Sequence, residues 1–402
     1  MLAGRNGTGK STLLRAIALS LAGPAAARSL QDSFAGWIHR GADAGSAETC
    51  VEYAVEDRFQ EGGRIRKGAF WTGLRWQAAP GGPEPRLDPE LSRNHTGAKA
   101  PSRGPWVENP LGWLVCGYGP FRRLSGEASP AQRLMSGPRR LASLVTLFRE
   151  DASLVECVEW LKSVYMRAFE GKPGFAELQT DILDLLNDGL LPDAARATKI
   201  DSEGLWVEQG GTTLALEELS DGYRTAAALV IDIAKQMFAC FGRFTVKKQG
   251  KTLFVDLPAV VLIDEIDVHL HVSWQQQIGF WLKTRFPRVQ FLVTTHSPFI
   301  CQAADDRGLI RLPGTGCVDP ARHVDVETFR RVVNGTADQA VLTTLFGMDR
   351  TRSEQAERLR KEYGALRAQE MKAGLAIDDR KRLVQLQQQL PFVTDGIDGR
   401  GR

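Results

Sequence analysis

The chain has 402 residues and a formal net charge of +3 at pH 7, with 51 lysines and arginines against 48 aspartates and glutamates. This near balance argues against a polybasic protein that coats nucleic acid, and 43% hydrophobic with 25% charged residues excludes wholesale disorder. Six cysteines without a CxxC pair favour a reducing compartment, so we expect a cytoplasmic protein. No apolar run reaches the roughly 18 residues of a membrane span, and the length predicts two or three domains.

The first motif spans residues 4–12 and reads G-R-N-G-T-G-K-S-T, which matches the pattern G-x-x-x-x-G-K-[ST] at every fixed position. Its glycines allow successive backbone N–H groups to converge on a phosphate. Lys10 would contact the β- and γ-phosphates of ATP, and Ser11 would offer a hydroxyl to Mg²⁺. An apolar stripe over 13–21 predicts a helix whose positive N-terminus faces the phosphates. We assign the nucleotide contacts to Gly4, Asn6, Gly7, Gly9, Lys10, Ser11 and Thr12.

Only Met1, Leu2 and Ala3 precede this motif, whereas a phosphate-binding loop should follow a buried strand of about five residues. The three residues resemble the tail of such a strand. This favours a start codon assigned too late, with about 30–40 residues missing. We therefore expect the chain as written to bind ATP weakly or not at all, and an upstream-extended version to bind it.

The elements that follow are predicted from periodicity and turn composition. Alternation predicts strands at 48–56 and 69–76, paired as a hairpin or meander, and a Pro-, Gly- and Arg-rich stretch predicts a mobile loop over 78–105. A buried strand is predicted at 111–117, helices across 139–190, and a short hairpin from 206–208 and 213–216. Beyond residue 324 the pattern predicts polar helices at 326–333, 338–346, 353–372 and 378–390.

Residues 217–225 read E-E-L-S-D-G-Y-R-T and precede a long apolar helix. Ser220 suits the helix N-cap, and Gly222 would let a phosphate approach the first turn. As a helix-capping motif alone this stretch does not indicate a particular function, but it lies upstream of another motif, which ends in two carboxylates.

That motif is the apolar run Val-Val-Leu-Ile at 260–263, which ends in Asp264 and Glu265. In a P-loop ATPase the first carboxylate would hold Mg²⁺ together with Ser11, and the second would orient and deprotonate the attacking water. Another apolar strand, within 289–293, is followed by His296. An imidazole at that place can contact the γ-phosphate and sense its presence.

In this order the motifs resemble those of the ATP-binding-cassette branch of P-loop ATPases, and their wide separation resembles the soluble SMC- and RecF-like members. A narrower resemblance is carried by residues 118–123, 263–271 with Trp274 and Gln275, and 294–298. They resemble bacterial stand-alone ATP-binding proteins, including the ATPase subunits of Septu-type and retron-linked anti-phage systems, which act beside an HNH-type nuclease.

The resemblance implies an α/β P-loop NTPase fold with a parallel sheet and flanking helices, an antiparallel β subdomain, and inserted and C-terminal helical subdomains. We expect the N-terminal part of the ATPase lobe at 1–125, a helical insertion at 126–200 and the C-terminal part of the lobe at 201–318. A C-terminal helical region would span 319–392 and a tail 393–402.

The resemblance also implies ATP and Mg²⁺ as ligands and a homodimer in which Ser220 and Gly222 of one protomer close over the ATP of the other. The expected function is ATP hydrolysis that controls an effector such as a nuclease in anti-phage defence, with nucleic acid as a further candidate partner. The alternative is a nucleotide-gated scaffold or DNA-repair clamp with little turnover.

Four positions depart from the pattern of the branch. Asp221 and Tyr223 replace the Gly and Gln that transporters usually carry. His271 stands where an aspartate is expected after the acidic motif, and Tyr118 stands where a glutamine is expected after the 111–117 strand. A fused Toprim nuclease is disfavoured, because no D-x-D cluster follows His296.

Overall fold

The computed structural model of the chain describes residues 1–60, 68–91, 99–121, 130–191, 195–314 and 319–390. The strands are β1 (Leu2–Ala3), β2 (Ala44–Val51), β3 (Phe70–Gln77), β4 (Arg86–Pro89), β5 (Val115–Tyr118), β6 (Arg196–Asp201), β7 (Gly204–Gln209), β8 (Thr212–Ala215), β9 (Val246–Gln249), β10 (Thr252–Val255), β11 (Ala259–Ile263), β12 (Val289–Val293), β13 (Ile310–Arg311) and β14 (Arg322–His323).

The helices are α1 (Lys10–Ala22), α2 (Pro24–Leu30), α3 (Ala100–Arg103), α4 (Pro130–Met135), α5 (Arg139–Ala142), α6 (Val145–Phe148), α7 (Val155–Phe169), α8 (Phe175–Asn187), α9 (Asp221–Phe241), α10 (Val272–Arg285), α11 (Pro298–Cys301), α12 (Val326–Val333), α13 (Ala337–Val341), α14 (Glu354–Ala373) and α15 (Ile377–Gln389). None of the helices in this described part has both the length and the apolar character that a membrane crossing requires.

A parallel sheet in the order β12–β11–β5 forms the centre of the fold. Val261 of β11 pairs with Cys116 of β5 on one side and with Phe291 of β12 on the other. Val261, Leu262 and Ile263 are fully buried, as expected for a strand that is covered on both faces. The predicted α/β fold with a parallel sheet and flanking helices is confirmed, although β5 begins at Val115 rather than at residue 111.

The residues before the phosphate-binding loop form the two-residue strand β1, which is shorter than the roughly five residues expected of such a strand. Leu2 and Ala3 are buried and pair in parallel with Ile310 and Arg311 of β13. Leu2 also forms a parallel bridge with Thr294, just after β12. β1 is therefore held between β12 and β13, beside a cavity of about 350 Å³.

The predicted antiparallel pair is confirmed, although β2 ends at Val51 rather than at residue 56. The pair belongs to a three-stranded antiparallel sheet in the order β2–β3–β4. The third strand, β4, and the short helix α3 lie inside the stretch predicted as a mobile loop over 78–105, so that prediction is wrong for the described residues. β4 is short, ends in Pro89 and occupies the sheet edge, where a proline is tolerated.

Two further antiparallel units flank α7 to α9. β6–β7–β8 form one sheet and β9–β10 a hairpin, of which only β7 and β8 are predicted. The predicted domain boundary at residue 200 falls inside β6, so the helical stretch ends before Arg196. The boundary at residue 125 and the 393–402 tail lie outside the described residues.

The helices after residue 324 appear where they are predicted, with a shorter α13 that ends at Val341. α12 and α13 pack on β1 through a buried apolar cluster of Ala3, Val332, Ala340 and Leu345. The C-terminal helical region therefore contacts the strand that leads into the phosphate-binding loop.

The core around α7 offers a test of the packing. Leu161 lies in α7, is fully buried and belongs to the cluster that joins α7 to the central sheet. We expect Leu161→Ala to lower the free energy of unfolding by about 2–5 kcal/mol, because it leaves a cavity in a close-packed interior. Chemical denaturation measures this, with Val384→Ala as a control because Val384 is 47% exposed. Equal losses for the two variants would contradict the assigned core.

Candidate nucleotide-binding site

The predicted site residues follow strands that end at the same edge of the structure. Residue 4 follows β1, Asp264 follows β11 and Thr294 follows β12. Because β1, β11 and β12 run parallel, their carboxyl ends meet at one edge, which is where α/β proteins place ligand sites. Residues that are far apart in the sequence thereby come together.

The phosphate-binding loop has the backbone that its glycines were expected to provide. Gly7 and Gly9 have φ of 75° and 84°, in the left-handed region that only glycine adopts readily. Gly9 is the N-cap of α1, and the helix predicted from the apolar stripe over 13–21 begins at Lys10. The Lys10 ammonium donates hydrogen bonds to the carbonyl oxygens of Gly4 (3.1 Å) and Arg5 (3.0 Å). The loop thus folds around its own lysine.

Lys10 is only 6% exposed. Burial lowers the pKa of its ammonium, and the carboxylates of Glu265, Asp264 and Asp267 oppose that effect. The ammonium therefore lies in a partly desolvated position that faces negative charge, where a cation interacts strongly with an anionic ligand.

The predicted metal ligands are in direct contact. Ser11 Oγ donates to Asp264 Oδ1 at 3.0 Å, and Asp264 is 2% exposed. Thr294 Oγ1 donates to the same Asp264 oxygen at 2.5 Å. A serine hydroxyl beside a carboxylate is an oxygen donor set that Mg²⁺ accepts. Ser11 and Asp264 therefore fit the predicted Mg²⁺, and their assignment as ligands stays a prediction.

Glu265 has an unusual backbone, with φ of 48°. The left-handed region is unfavourable for a residue with a Cβ, and such residues are concentrated at functional sites. The Glu265 N–H donates to Thr294 Oγ1 at 2.7 Å, so one threonine hydroxyl holds both carboxylate residues. The turn brings the Glu265 carboxylate close enough to Lys10 to oppose the lowering of the lysine pKa by burial.

His296 lies on the same edge, and Asp267 orients its backbone. The His296 N–H donates to Asp267 Oδ1 at 3.3 Å, and Thr295 Oγ1 donates to the same oxygen at 2.5 Å. Although His296 is exposed, its neighbours partly desolvate the ring, and this lowers the pKa of the imidazole; the positive charge of Lys10 lowers it further.

The two signature residues lie at the start of α9. Ser220 is the N-cap of this 21-residue helix, as predicted, but its side chain makes no capping hydrogen bond. Gly222 packs against the loop after Asp264, because a Cβ at this position would lie 2.8 Å from the His269 carbonyl oxygen. Within the described part of the chain, no hydrogen bond joins Ser220 or Gly222 to the phosphate-binding loop. Their contact with ATP across a dimer stays a prediction.

Thr294 and Asp267 are structural members of the site that the motifs did not reveal. Thr294 links Asp264 to Glu265, and Asp267 links Thr295 to His296. Both belong to stretches that carry the resemblance, which is the signal that could have identified them. Neither can be assigned by spacing, because their partners lie on a neighbouring strand.

Tyr118, which stands where a glutamine is expected, turns away from the site. Its hydroxyl donates to Asp232 Oδ2 at 2.9 Å, and both residues are at most 3% exposed. Burial raises the pKa of Asp232. Arg122 and Arg123 from the same motif lie outside the described residues.

Residues 143–302 match the family described as "AAA domain, putative AbiEii toxin, Type IV TA system". The matched segment covers less than half of the chain. It includes the signature residues, Asp264, Glu265 and His296, while the glycine-rich loop at 4–12 lies before the matched range.

Several relatives carry ATPase or defence-system names. The chain is 40% identical over 105 residues to the Retron Ec83 probable ATPase of Escherichia coli, which is 26% of this chain and 18% of that protein. It is 28% identical over 301 residues to the Septu protein PtuA of Bacillus mycoides (strain KBAB4), 74% of this chain and 34% of the relative. It is 34% identical over 108 residues to the Retron Vc95 probable ATPase of Vibrio cholerae serotype O1 biovar El Tor, 27% and 20% of the two chains.

Each of these matches thus spans less than half of the relative. The structure is also similar to a SmcHead bound to the C-winged helix domain of ScpA, with a TM-score of 0.47 at 17% identity over 81% of this chain and 90% of that one. The resemblance to AAA-type ATPases of Septu and retron systems is confirmed by the matched family and the named relatives.

The position of His296 beside Lys10 predicts a pH response. Since the pKa of His296 is lowered from its ordinary value of 6.5, the ring should be neutral at pH 7. Unfolding then takes up a proton as pH falls through 6.5, so this residue lowers stability on the acid side. We expect an NMR titration of the metal-free protein to place the His296 midpoint below 6.5. Lys10→Ala should raise that midpoint, and an unchanged or lower value would contradict the proximity of the two charges.

Proposed function

We propose that this protein hydrolyses ATP, closes into a nucleotide-dependent homodimer and thereby controls a partner effector, for which we favour a nuclease of anti-phage defence. The observation that carries the proposal is the contact of Ser11 with the buried Asp264, next to Glu265 and Lys10. This arrangement joins a phosphate-binding group, an oxygen donor set for a metal and a candidate base at one edge of the sheet.

The loop and Lys10 would bind the substrate phosphates. The N–H groups at the start of α1 point out of the helix, and the helix dipole favours an anion at that end. The Lys10 ammonium donates to the Gly4 and Arg5 carbonyl oxygens, and it would exchange these acceptors for phosphate oxygens. Ser11 and Asp264 would hold Mg²⁺, which neutralises charge on the phosphates.

Glu265 would act as the general base. Its carboxylate is half-buried, and its left-handed backbone is held by Thr294. A carboxylate fixed in this way can orient a water molecule and accept its proton as the water attacks the γ-phosphorus. His296, with a lowered pKa, would present a neutral imidazole to the γ-phosphate.

Dimer formation is supported by the signature residues. Ser220 is exposed and its hydroxyl caps nothing within its own helix, so it can meet an anion. The N-terminus of the 21-residue α9 supplies a partial positive charge at the same point. A second protomer related by a two-fold axis would bring these groups to the ATP on the phosphate-binding loop, giving two equivalent composite sites.

Control of an effector rests on the relatives alone. Two are named probable ATPases of retrons and one is a Septu protein. In this proposal ATP binding closes the dimer and hydrolysis releases it, so the effector senses nucleotide through the shape of the dimer. A nucleotide-gated scaffold would also close, but it would turn over little ATP.

Glu265→Gln distinguishes these functions. We expect the turnover number to fall about 100-fold or more, because the base is lost, while ATP and Mg²⁺ hold a long-lived dimer. Phosphate release measures turnover, and size-exclusion chromatography with light scattering measures the dimer. Glu208→Gln is the matched control, since Glu208 is exposed on β7. Full turnover in Glu265→Gln would refute the assigned base, and a monomer in ATP would refute the dimer.

A further inference from the structure

Arg5 joins the phosphate-binding loop to the C-terminal part of the chain. Its Nη2 donates to the Gly347 carbonyl oxygen at 2.6 Å, a contact between residues 342 positions apart. The Arg5 carbonyl oxygen accepts from Lys10 Nζ and from Thr8 Oγ1, both at 3.0 Å. One residue is therefore held at its side chain by the C-terminal segment and at its backbone by the lysine of the loop.

The position of the Arg5 guanidinium depends on the glycine at position 347. Gly347 has φ of +65°, and a Cβ there would lie 2.5 Å from Arg5 Nη2 and 2.9 Å from its Cζ. Such distances are far inside van der Waals contact, so any other residue would displace the guanidinium. The Gly347 N–H donates to the Thr343 carbonyl at 2.8 Å, which holds the glycine itself in a tight turn.

The turn is firmly attached to the body of the protein. Leu345 is 1% exposed and packs with Ala3 and Ala340. The outer limb of the loop, formed by Arg5, Asn6 and Gly7, is much less supported, because all three residues are exposed. Beside the Arg5–Gly347 contact, a cavity of about 390 Å³ is lined by Gly4, Arg5 and Thr8 of the loop and by residues within 342–349. Among the described residues, no carboxylate lies within 4.0 Å of the Arg5 guanidinium, so the Gly347 carbonyl oxygen is the acceptor that holds it.

We infer that the segment 337–349 is part of the nucleotide site and that Arg5 is a positioning residue. The segment fixes the Arg5 side chain through Gly347, and the Arg5 carbonyl oxygen in turn fixes the Lys10 ammonium. This inference rests on the proposed ATP binding. Before phosphate binds, the Arg5 carbonyl oxygen accepts a hydrogen bond from the Lys10 ammonium and so determines its position. Without the anchor at Gly347 the exposed limb samples more conformations, and binding must then order it at a cost in affinity.

The direct test is Gly347→Ala, which displaces the guanidinium without changing the loop sequence. Gly374→Ala is the matched control, because Gly374 also has a positive φ, of +76°, but a Cβ at Gly374 would meet no atom within 4 Å. Titration with a fluorescent N-methylanthraniloyl ATP and Mg²⁺, up to millimolar concentrations, measures affinity. We expect Gly347→Ala to bind roughly five- to tenfold more weakly and the control to stay within about twofold of the parent.

Arg5→Ala supplies an independent route to the same loss, since its side chain is exposed and its removal leaves no buried cavity. The double variant should bind no more weakly than either single variant, because all three lack one and the same contact. A purely structural role would lower thermal stability alone, whereas a positioning role raises KM and leaves kcat at saturating ATP within about twofold.

The possible outcomes distinguish this inference from the proposed function. If the parent binds the probe while Gly347→Ala matches Gly374→Ala, or if the losses of the two single variants add, the inference is overturned and the proposed function stands. If Gly347→Ala unfolds, Arg5→Ala decides alone. If the parent fails to bind the probe at millimolar concentration, the proposed ATP binding is refuted, and the inference that rests on it is refuted as well.

Discussion

The hydrogen bond between Ser11 and Asp264 is the contact on which the rest of the site depends. It joins residues 253 positions apart and exists only because β11 is aligned in parallel with β5 and β12. A slip of one residue in that register would turn the Asp264 side chain to the opposite face of the sheet. The long apolar run of β11 is therefore a positioning device as well as a part of the core.

Two charged groups at this edge are buried, and their hydrogen bonds make the burial tolerable. Lys10 is satisfied by two carbonyl oxygens of its own loop, and Asp264 accepts from Ser11 and Thr294. Burial of such groups without partners would cost several kcal/mol. Since the partners are protein groups that a ligand can replace, the site is ordered before ligand arrives, as electrostatic preorganisation requires.

The backbone of the site carries strain that the core must balance. Glu265 has φ of 48° and His269 has φ of 67°, both unfavourable for residues with a Cβ. Strain of this kind persists only when surrounding contacts determine the conformation. Here the turn is fixed between the buried strand β11, the Thr294 hydroxyl and the first turn of α9 at Gly222, so the helix that carries the signature residues packs against the turn that carries the candidate base.

Local pattern was sufficient where one residue type has a dominant conformational preference. The glycines of residues 4–12 predicted the loop, the apolar stripe over 13–21 predicted α1, and the apolar runs before Asp264 and His296 predicted β11 and β12. β4 and β6 escaped prediction because they are short and rich in charged or polar residues, and pairing with β3 and β7 stabilises them more than their own composition does. β1 has two residues and becomes a strand only because β13 and Thr294 pair with it.

The sequence by itself therefore determined the fold class and predicted the chemistry of the site: a phosphate-binding lysine, a hydroxyl and a carboxylate for a metal, and a neighbouring base. Tertiary structure alone decided that Thr294 holds Asp264 and Glu265 together, that Tyr118 faces Asp232, and that Arg5 reaches Gly347. The physical reason is that short-range order follows from φ and ψ preferences and hydrophobic periodicity. Hydrogen bonds between distant residues depend instead on strand register and turn direction, which the packed sheet sets.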